Sequence, residues 1–181
     1  MDPSSIPPST APSADWLAPV ADAPAPVVLR AGATPWRSLV HHGGAVEDQT
    51  QLEHVQGIFA GKGVDFLALV HAGRVTGLCS RLRLGILFGS RFGFALYSRA
   101  PAVQAQVEHP LVFPESTPVP RLLDRALARR GDDFHEDVVL VDEQGGLIGL
   151  MPVDALARLQ SQLVSEQFEE LRRQHLKLFQ A

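Results

Sequence analysis

The sequence contains an internal repeat, and a repeat constrains the fold of a chain more than any single motif does. One copy begins at Thr50 and the other at Val119, roughly seventy residues later. Each copy predicts the same order of elements: an amphipathic helix, a buried strand, a tight turn, a second strand that ends in Gly-Leu, and another helix. The duplication implies two similar halves related by a pseudo-twofold axis, with a site between them.

The two copies align without large gaps, which strengthens the inference of a repeat. The correspondences along the chain are 66–70 with 137–142, 71–74 with 143–146, and Gly77-Leu78 with Gly149-Leu150. In each case a run of apolar residues is followed by a glycine-containing turn, which is the pattern of a β-hairpin. We therefore expect two hairpins of one design, one in each half of the chain.

The composition indicates a globular protein without a general affinity for polyanions. The chain has 181 residues, is 45% hydrophobic and carries a net charge of -4, so neither nucleic acid nor a membrane is expected as a partner. The single cysteine, Cys79, excludes an intrachain disulfide and is predicted to be a buried thiol. No apolar run approaches the roughly eighteen residues that span a bilayer, and no signal-peptide pattern is present, which predicts a cytoplasmic location.

Composition and turn signals divide the chain into five segments. Residues 1–26 hold half of the fourteen prolines together with much alanine and serine, which predicts a disordered lead-in. A flanking segment with a short helix is expected over 27–44, with Thr34 as the N-cap before Pro35. The remaining segments are a first repeat over 45–98, a second repeat over 99–159, and a C-terminal helical extension over 160–181.

The last part of the sequence predicts one long helix. From Val153 to the end there is neither glycine nor proline, so a helix of up to about 28 residues, near 40 Å long, is expected. Apolar residues recur on one side of it at Ala157, Val164, Phe168, Leu171 and Leu178, with His175 between them. Three interpretations stay open: the stripe packs on the chain's own body, pairs with a second copy in a dimer, or connects to a downstream domain.

The order of elements in each copy resembles the CBS domain, and the two copies in tandem resemble a CBS pair. The resemblance covers about 45–159, and the stretches 75–81, 91–97 and 110–112 look like the CBS pairs of bacterial signalling proteins. It implies an α/β fold with two repeats in pseudo-twofold arrangement, small mixed sheets packed with helices, and a long C-terminal helix. It further implies a non-enzymatic regulatory module that forms a homodimer.

The same resemblance implies a site between the copies. Members of the family often bind adenosine nucleotides such as AMP or ATP there, with a Ser/Thr-x-x-Asp at the start of the last helix holding phosphate and ribose. In the first copy Ser80 stands at the hydroxyl position, but Arg83 replaces the aspartate. In the second copy Pro152 and Ala155 take the two positions, and Asp154 lies one residue early. The candidate ligand-binding residues are therefore Ser80, Arg81, Arg83 and Asp154, with the identity of the ligand left open.

Other motifs support neither catalysis nor a metal site. There is no nucleophile elbow, phosphate-binding loop or dinucleotide fingerprint, and no Cys/His spacing suits zinc. The acidic residues Asp132, Asp133, Glu136 and Asp137 are expected to solvate a loop, and His109 and His135 to lie on the surface. Two alternatives to a nucleotide sensor remain. One is a ligand-free scaffold that dimerises or docks a partner protein, and the other is the severed input domain of a bacterial signalling enzyme.

Overall fold

The computed structural model describes residues 34–179, so the lead-in expected over 1–26 lies outside the described residues. Twelve helices and strands follow one another in the order α1 (Trp36–Leu39), β1 (Ala45–Glu47), α2 (Leu52–Lys62), β2 (Phe66–His71), β3 (Arg74–Ser80), α3 (Arg81–Gly89), α4 (Gly93–Tyr97), β4 (Val112–Pro114), α5 (Val119–Leu127), β5 (Val138–Val141), β6 (Leu147–Met151) and α6 (Val153–Phe179). Short 3-10 segments at Ala102–Ala105 and Gly131–His135 precede β4 and β5.

The strands form two three-stranded sheets of the same topology. β2 lies in the middle of the first sheet, parallel to β1 and antiparallel to β3, and β5 has the same place between β4 and β6. Each hairpin also shifts register once at an equivalent position, between Leu69 and Val70 in the first sheet and between Leu140 and Val141 in the second. The predicted tandem repeat, with its mixed sheets, is confirmed down to this shared irregularity.

Each repeat pairs with a segment that precedes the sheet of the other repeat. The backbone N–H of His41 donates to the carbonyl of Leu150 on β6, and the N–H of Leu150 donates to the carbonyl of His42, both at 2.8 Å. In the pseudo-symmetric position, the N–H of Val107 donates to the carbonyl of Leu78 on β3 at 2.9 Å. These exchanged segments join the two repeats into one body.

The hydrophobic core has one cluster in each repeat and a third between them. The third cluster contains side chains from both hairpins and from the segment before β4, namely Ala68, Leu78, Val107, Val139, Val141 and Leu150. Each side chain of the size of Val or Leu contributes on the order of 2 kcal/mol when it is fully buried. The apolar residues that alternate along β2, β3, β5 and β6 therefore hold the two sheets against each other.

Helix ends depart from the sequence predictions in two places. Thr34 was expected to cap α1, but its hydroxyl donates instead to the carbonyl of Glu115 at 2.9 Å, and no side chain caps the helix. α1 ends at Leu39, well before the end of the flanking segment at residue 44, because His41 and His42 are already paired with β6. The stretch 91–97 contains the short helix α4.

The long C-terminal helix is confirmed, with 27 residues from Val153 to Phe179. Only its first two turns are buried, at Ala155, Leu156 and Leu159. The predicted stripe of Val164, Phe168, Leu171 and Leu178 is between 53% and 77% exposed. Within residues 34–179 the stripe therefore does not pack on the chain's own body. None of the helices within 34–179 has the length and apolar character needed to cross a membrane.

Candidate functional site

A cleft of about 470 Å³ opens between the two repeats at the start of α3. We call it the first cleft. From the first repeat it is lined by Phe66, Ser80, Leu82, Arg83, Ile86 and Leu87, and from the rest of the chain by Gln104, Asp132, His135 and Glu136. An adjoining hollow shares Ser80 and His135 and adds Asp65 and Arg81. Three of the predicted site residues, Ser80, Arg81 and Arg83, thus come together at one place.

Ser80 ends β3 and caps α3. Its backbone is extended, and its buried hydroxyl accepts a hydrogen bond of 3.4 Å from the N–H of Arg83. The first N–H groups of a helix have no partner within the helix and carry a partial positive charge. Since α3 begins at the wall of the first cleft, this end of the helix favours a negatively charged group.

Two arginines add full positive charge to the same wall. Arg81 pairs with Asp65 at 2.5 Å, and Arg83 lies 3.6 Å from the carboxylate of Glu108. All four side chains are more than one-third exposed, so each ion pair contributes little to stability. The guanidinium groups can therefore exchange these partners for a phosphate, which suits their planar donor geometry.

The wall formed by α3 also has an apolar strip. Leu82 and Ile86 are 68% and 65% exposed, and both line the first cleft beside Phe66 and Leu87. Large apolar side chains left open to solvent next to charged groups are typical of a ligand or partner surface. The first cleft can therefore hold a ligand with an anionic part and a flat apolar part.

The acidic loop differs from its prediction. Asp132 is exposed, as expected, but Glu136 and Asp137 are buried, at 5% and 8% exposure. The loop leads directly into β5, whose residues are all buried, so the carboxylates next to it are drawn into the protein. Burial raises the pKa of Glu136, and it raises the pKa of Asp137 to about 6.

Arg129 from the turn after α5 anchors this buried loop. Its Nη2 donates to the carbonyl of Glu136 at 2.8 Å, and its Nε donates to the carbonyl of Ala126 at 3.0 Å. Burial lowers the pKa of Arg129, and the carboxylate of Glu136 opposes that shift. The loop is thus held mainly by backbone contacts, which leaves the side chain of Glu136 at the wall of the first cleft.

Asp154, the fourth predicted site residue, lies apart from the other three. It sits in the first turn of α6 and accepts a hydrogen bond of 2.8 Å from Arg158. It does not line the first cleft. Its position corresponds to Leu82 of the first repeat, so it belongs to the pseudo-symmetric side of the module, where its role as a ligand contact stays a prediction.

The pseudo-symmetric side has a different chemical character. Pro152 takes the place of Ser80, and its carbonyl accepts a hydrogen bond from the N–H of Ala155 at 3.1 Å. Asp137 lies there 3.8 Å from Nε2 of His42, and the charges of Asp65 and Asp154 help to raise its pKa. On this side Asp154 lies in the first turn of α6 and its charge acts on Asp137, whereas the wall of the first cleft formed by α3 presents arginines.

Cys79 is confirmed as a buried thiol. It is fully buried next to Ser80 in β3, and burial raises its pKa to about 12. A thiol in this state carries almost no thiolate at neutral pH. Cys79 therefore packs in the core of the first repeat, although the residue after it caps α3.

The residues of the first cleft that sequence reasoning missed include Glu136, Gln104 and the apolar pair Leu82 and Ile86. The repeat itself carried a usable signal for Glu136. Glu136 corresponds to Asp65, which pairs with Arg81 at the start of α3. Because a pseudo-twofold axis relates the two copies, the residue before the central strand of each sheet lies near that axis, where the two repeats meet.

Known structures share this architecture, although no family model and no curated protein matches the sequence. A CBS domain-containing protein from Bacillus anthracis is 18% identical with a TM-score of 0.56, over 70% of this chain and 91% of that one. CBSX2 from Arabidopsis thaliana is 17% identical with a TM-score of 0.55, over 71% and 95%. A structure of CBSX2 in complex with AMP is 18% identical with a TM-score of 0.54, over 70% and 96%. This chain therefore has the fold of a tandem CBS pair.

Proposed function

We propose that the chain is a non-enzymatic regulatory module that binds an adenosine-type nucleotide, such as AMP or ATP, in the first cleft. The observation that carries the proposal is the wall of that cleft, where the Ser80-capped start of α3 stands beside Arg81 and Arg83. We further propose that the module acts in the cytoplasm as a homodimer and signals through α6.

The shape and chemistry of the first cleft suit the parts of a nucleotide. A phosphate would accept hydrogen bonds from the guanidinium group of Arg83 and would be stabilised by the positive end of α3. The base would pack on Leu82 and Ile86, whose exposed surfaces have no other cover among residues 34–179. CBSX2, which has the same fold, has been crystallised with AMP, and this supports the choice of ligand class.

The connection from the cleft to α6 runs through the second repeat. Glu136 precedes β5, β5 pairs with β6, and β6 leads through Pro152 into α6. The first turns of α6 pack in the core of that repeat through Leu156 and Leu159. A nucleotide that binds one arrangement of the two repeats more tightly would favour the α6 position of that arrangement. The shift in population is limited by the difference between its affinities for the two arrangements.

The test is a thermal-shift titration of the purified chain with AMP, ADP, ATP, S-adenosylmethionine, NAD and cyclic dinucleotides. One adenosine compound should raise the melting temperature with dose, since a ligand at about 100 times its Kd adds roughly 2.7 kcal/mol of stability. Ser80→Ala and Arg83→Ala should remove most of the shift. Arg172→Ala, on an exposed face of α6, is the matched arginine control and should leave the shift unchanged.

A variant on the pseudo-symmetric side of the module tests whether the nucleotide binds in the first cleft. Asp154→Ala should leave the nucleotide shift unchanged, because Asp154 does not line the first cleft. An equal loss in Asp154→Ala and Arg83→Ala would place the nucleotide elsewhere. The absence of any shift with any compound would contradict the sensor and favour the second candidate.

The second candidate is a dimerisation scaffold without a ligand, and the exposed stripe on α6 favours it. Val164, Phe168, Leu171 and Leu178, with His175 between the last two, follow the alternating spacing of four and three residues that two helices use when they pair. Each of the four apolar residues is at least 53% exposed, and such a row of apolar side chains is unfavourable in water. A second copy of the helix would cover them.

Sedimentation of the purified chain tests helix pairing, because it measures whether the chain is a monomer or a dimer. Leu171→Asp places a charge in the middle of the stripe and should turn a dimer into a monomer. Arg173→Asp is the control, because Arg173 lies on the opposite side of α6, where it pairs with Glu169 and Glu170, and it should leave the mass unchanged. An unchanged mass in Leu171→Asp, or a monomeric wild type, would contradict helix pairing.

A further inference from the structure

We propose that Glu136, from the second repeat, is the residue that recognises the ribose hydroxyl groups of a nucleotide bound in the first cleft. The inference rests on the proposed function and deepens it, because it assigns the two ends of the ligand to the two repeats. The phosphate would lie against Arg83 and the start of α3, and the ribose would lie against the loop that precedes β5.

The first observation is an unsatisfied carboxylate. Glu136 is only 5% exposed, and its Oε2 atom is buried without a hydrogen-bond partner among the described residues. A buried charged oxygen without a donor is costly, and native proteins rarely keep one. A ligand that brings hydroxyl groups to this oxygen would remove the cost.

The second observation is the position of that carboxylate. Glu136 lines the same cleft as Ser80 and Arg83 but comes from the other repeat. Arg83 is close enough for its charge to oppose the burial that raises the pKa of Glu136. A positive group and a negative group thus face the same cavity from two sides, so a bound molecule with an anionic end has one favourable orientation.

Because Arg83 and Glu136 line the same cleft and the charge of Arg83 acts on Glu136, the ribose is a nearer partner for Glu136 than the base is. In a nucleotide the hydroxyl donors lie next to the phosphate, whereas the amino group of adenine lies at the far end. An acceptor that senses the charge of Arg83 is therefore nearer to the ribose when the phosphate is on Arg83. A pair of neighbouring hydroxyls also suits a carboxylate, which accepts through two oxygens.

A purely structural role for Glu136 makes a different prediction. Arg129 has its own buried atom without a partner, Nη1, and its Nη2 already binds the carbonyl of Glu136. If Glu136 only balanced the charge of Arg129, its replacement would change stability and would weaken all nucleotides equally. A ribose contact would instead change the ratio between nucleotides with and without hydroxyl groups.

Asp132 provides a matched control in the same cleft. It lines the first cleft on the same side as Glu136 but is exposed, so water already satisfies its oxygens. Asp132→Asn removes one negative charge from the site, as Glu136→Gln does. Comparison of these two variants separates a specific contact from the general effect of charge on phosphate binding.

The experiment is isothermal titration calorimetry with AMP and with 2′,3′-dideoxy-AMP. The wild type and Asp132→Asn should prefer AMP by about tenfold or more, because a hydrogen bond to a charged acceptor is worth roughly 1.5–3 kcal/mol. Glu136→Gln keeps a neutral acceptor and should reduce the preference to about threefold. Glu136→Leu, which removes the acceptor, should bring the two affinities together.

The outcomes separate this assignment from the proposed function. If the wild type binds both nucleotides equally, or if Glu136→Gln and Glu136→Leu keep the full preference, the assignment is overturned while nucleotide binding stands. If the wild type binds neither nucleotide, both proposals are overturned. Should Glu136→Leu fail to fold, the ratio measured on Glu136→Gln decides the result.

Discussion

The two repeats share one sheet topology but differ at the equivalent point where the last strand meets the next helix. In the first repeat β3 ends at Ser80, which caps α3 beside two arginines. In the second repeat β6 is followed by Pro152 and Asp154, which provide neither a hydroxyl cap nor a cation. The fold depends on apolar positions throughout the sheet, whereas the chemistry of each cleft depends on a few residues at a strand end. A duplicated module can therefore keep its fold while the first cleft and the pseudo-symmetric side diverge.

The repeats also differ in what covers their outer face. In the second repeat the cover is α1, which contributes a fully buried tryptophan, Trp36, to the core. In the first repeat the segment Ala102–Ala105 contacts β3 and α3 and contributes two small side chains, Ala102 and Ala105. The second repeat thus depends on one large side chain from outside its own sequence, and the first repeat does not.

The largest effect should come from removing that tryptophan. Trp36→Ala should lower the free energy of unfolding by about 3–5 kcal/mol, because it leaves a cavity and breaks the hydrogen bond from its indole N–H to the carbonyl of Thr117 at 2.8 Å. Urea unfolding measures the loss. Val103→Ala, in the covering segment of the first repeat and 38% exposed, should cost less than about 0.5 kcal/mol.

Trp36→Phe separates packing from hydrogen bonding at the same site. It keeps most of the ring volume but leaves the carbonyl of Thr117 without its donor, so a loss of about 1–2 kcal/mol is expected. If Trp36→Ala costs no more than Val103→Ala, the second repeat does not depend on α1. The contrast between the two covers would then be wrong.

A smaller effect should distinguish the carboxylates that precede β5. Burial raises the pKa of Asp137 from 3.8 to about 6, so the folded state favours its protonated form. The stability that Asp137 contributes is complete below the unfolded pKa and is lost as the pH rises through about 6. Between pH 4 and pH 7 the wild type should therefore lose on the order of 2 kcal/mol relative to Asp137→Asn.

Other titratable groups near Asp137 also make stability depend on pH, so the experiment needs controls. Burial raises the pKa of Glu136 and lowers the pKa of His42, so these two groups shift stability in opposite directions as the pH rises. Both remain in Asp137→Asn, so the difference between the two proteins reports Asp137 together with its contact to His42. Asp65→Asn, in the equivalent loop of the first repeat, removes a charge that helps to raise the pKa of Asp137, so it should make this loss of stability smaller. Parallel curves for Asp137→Asn and the wild type would contradict the burial of a charged Asp137.

The fold could be predicted from the sequence because both copies carry the same periodic pattern. The apolar runs of the two hairpins alternate with glycine-containing turns at matching positions, and a pattern repeated in one chain is difficult to misread. The long helix was equally clear, since no glycine or proline interrupts 153–181. Thr34 could not be placed correctly, because its partner, the carbonyl of Glu115, lies 81 positions away along the chain.

The candidate site could be predicted only in part. Ser80, Arg81 and Arg83 are neighbours in sequence, so the resemblance to a known motif grouped them correctly. Glu136 belongs to the other repeat, and its run of four acidic residues has the composition of a solvated loop. Its burial follows from the entry of the chain into β5, a tertiary effect that local composition does not encode. Likewise, Leu82 and Ile86 have the spacing of a buried helix face, but α3 turns that face toward the first cleft.

The smallest effect concerns the turns of the two hairpins. Ala72 has a φ of 49°, and Gly73 follows with a φ of 78°, which is the pattern of a turn that favours glycine at both positions. The second hairpin has glycine at its positive φ, Gly145, and Asp142 accepts hydrogen bonds from the N–H groups of Gln144 and Gly146. It therefore lacks the strain of an alanine in the left-handed region.

Replacement of Ala72 should remove that strain. The left-handed conformation costs an alanine about 1–2 kcal/mol, and glycine loses part of this gain through its larger freedom in the unfolded chain. Ala72→Gly should therefore raise the free energy of unfolding by about 0.5–1 kcal/mol, as measured by urea unfolding. Ala60→Gly, at an exposed position in α2, makes the same chemical change in a helix and should lower stability by about 1 kcal/mol. A loss in both variants would show that the first hairpin is as unstrained as the second.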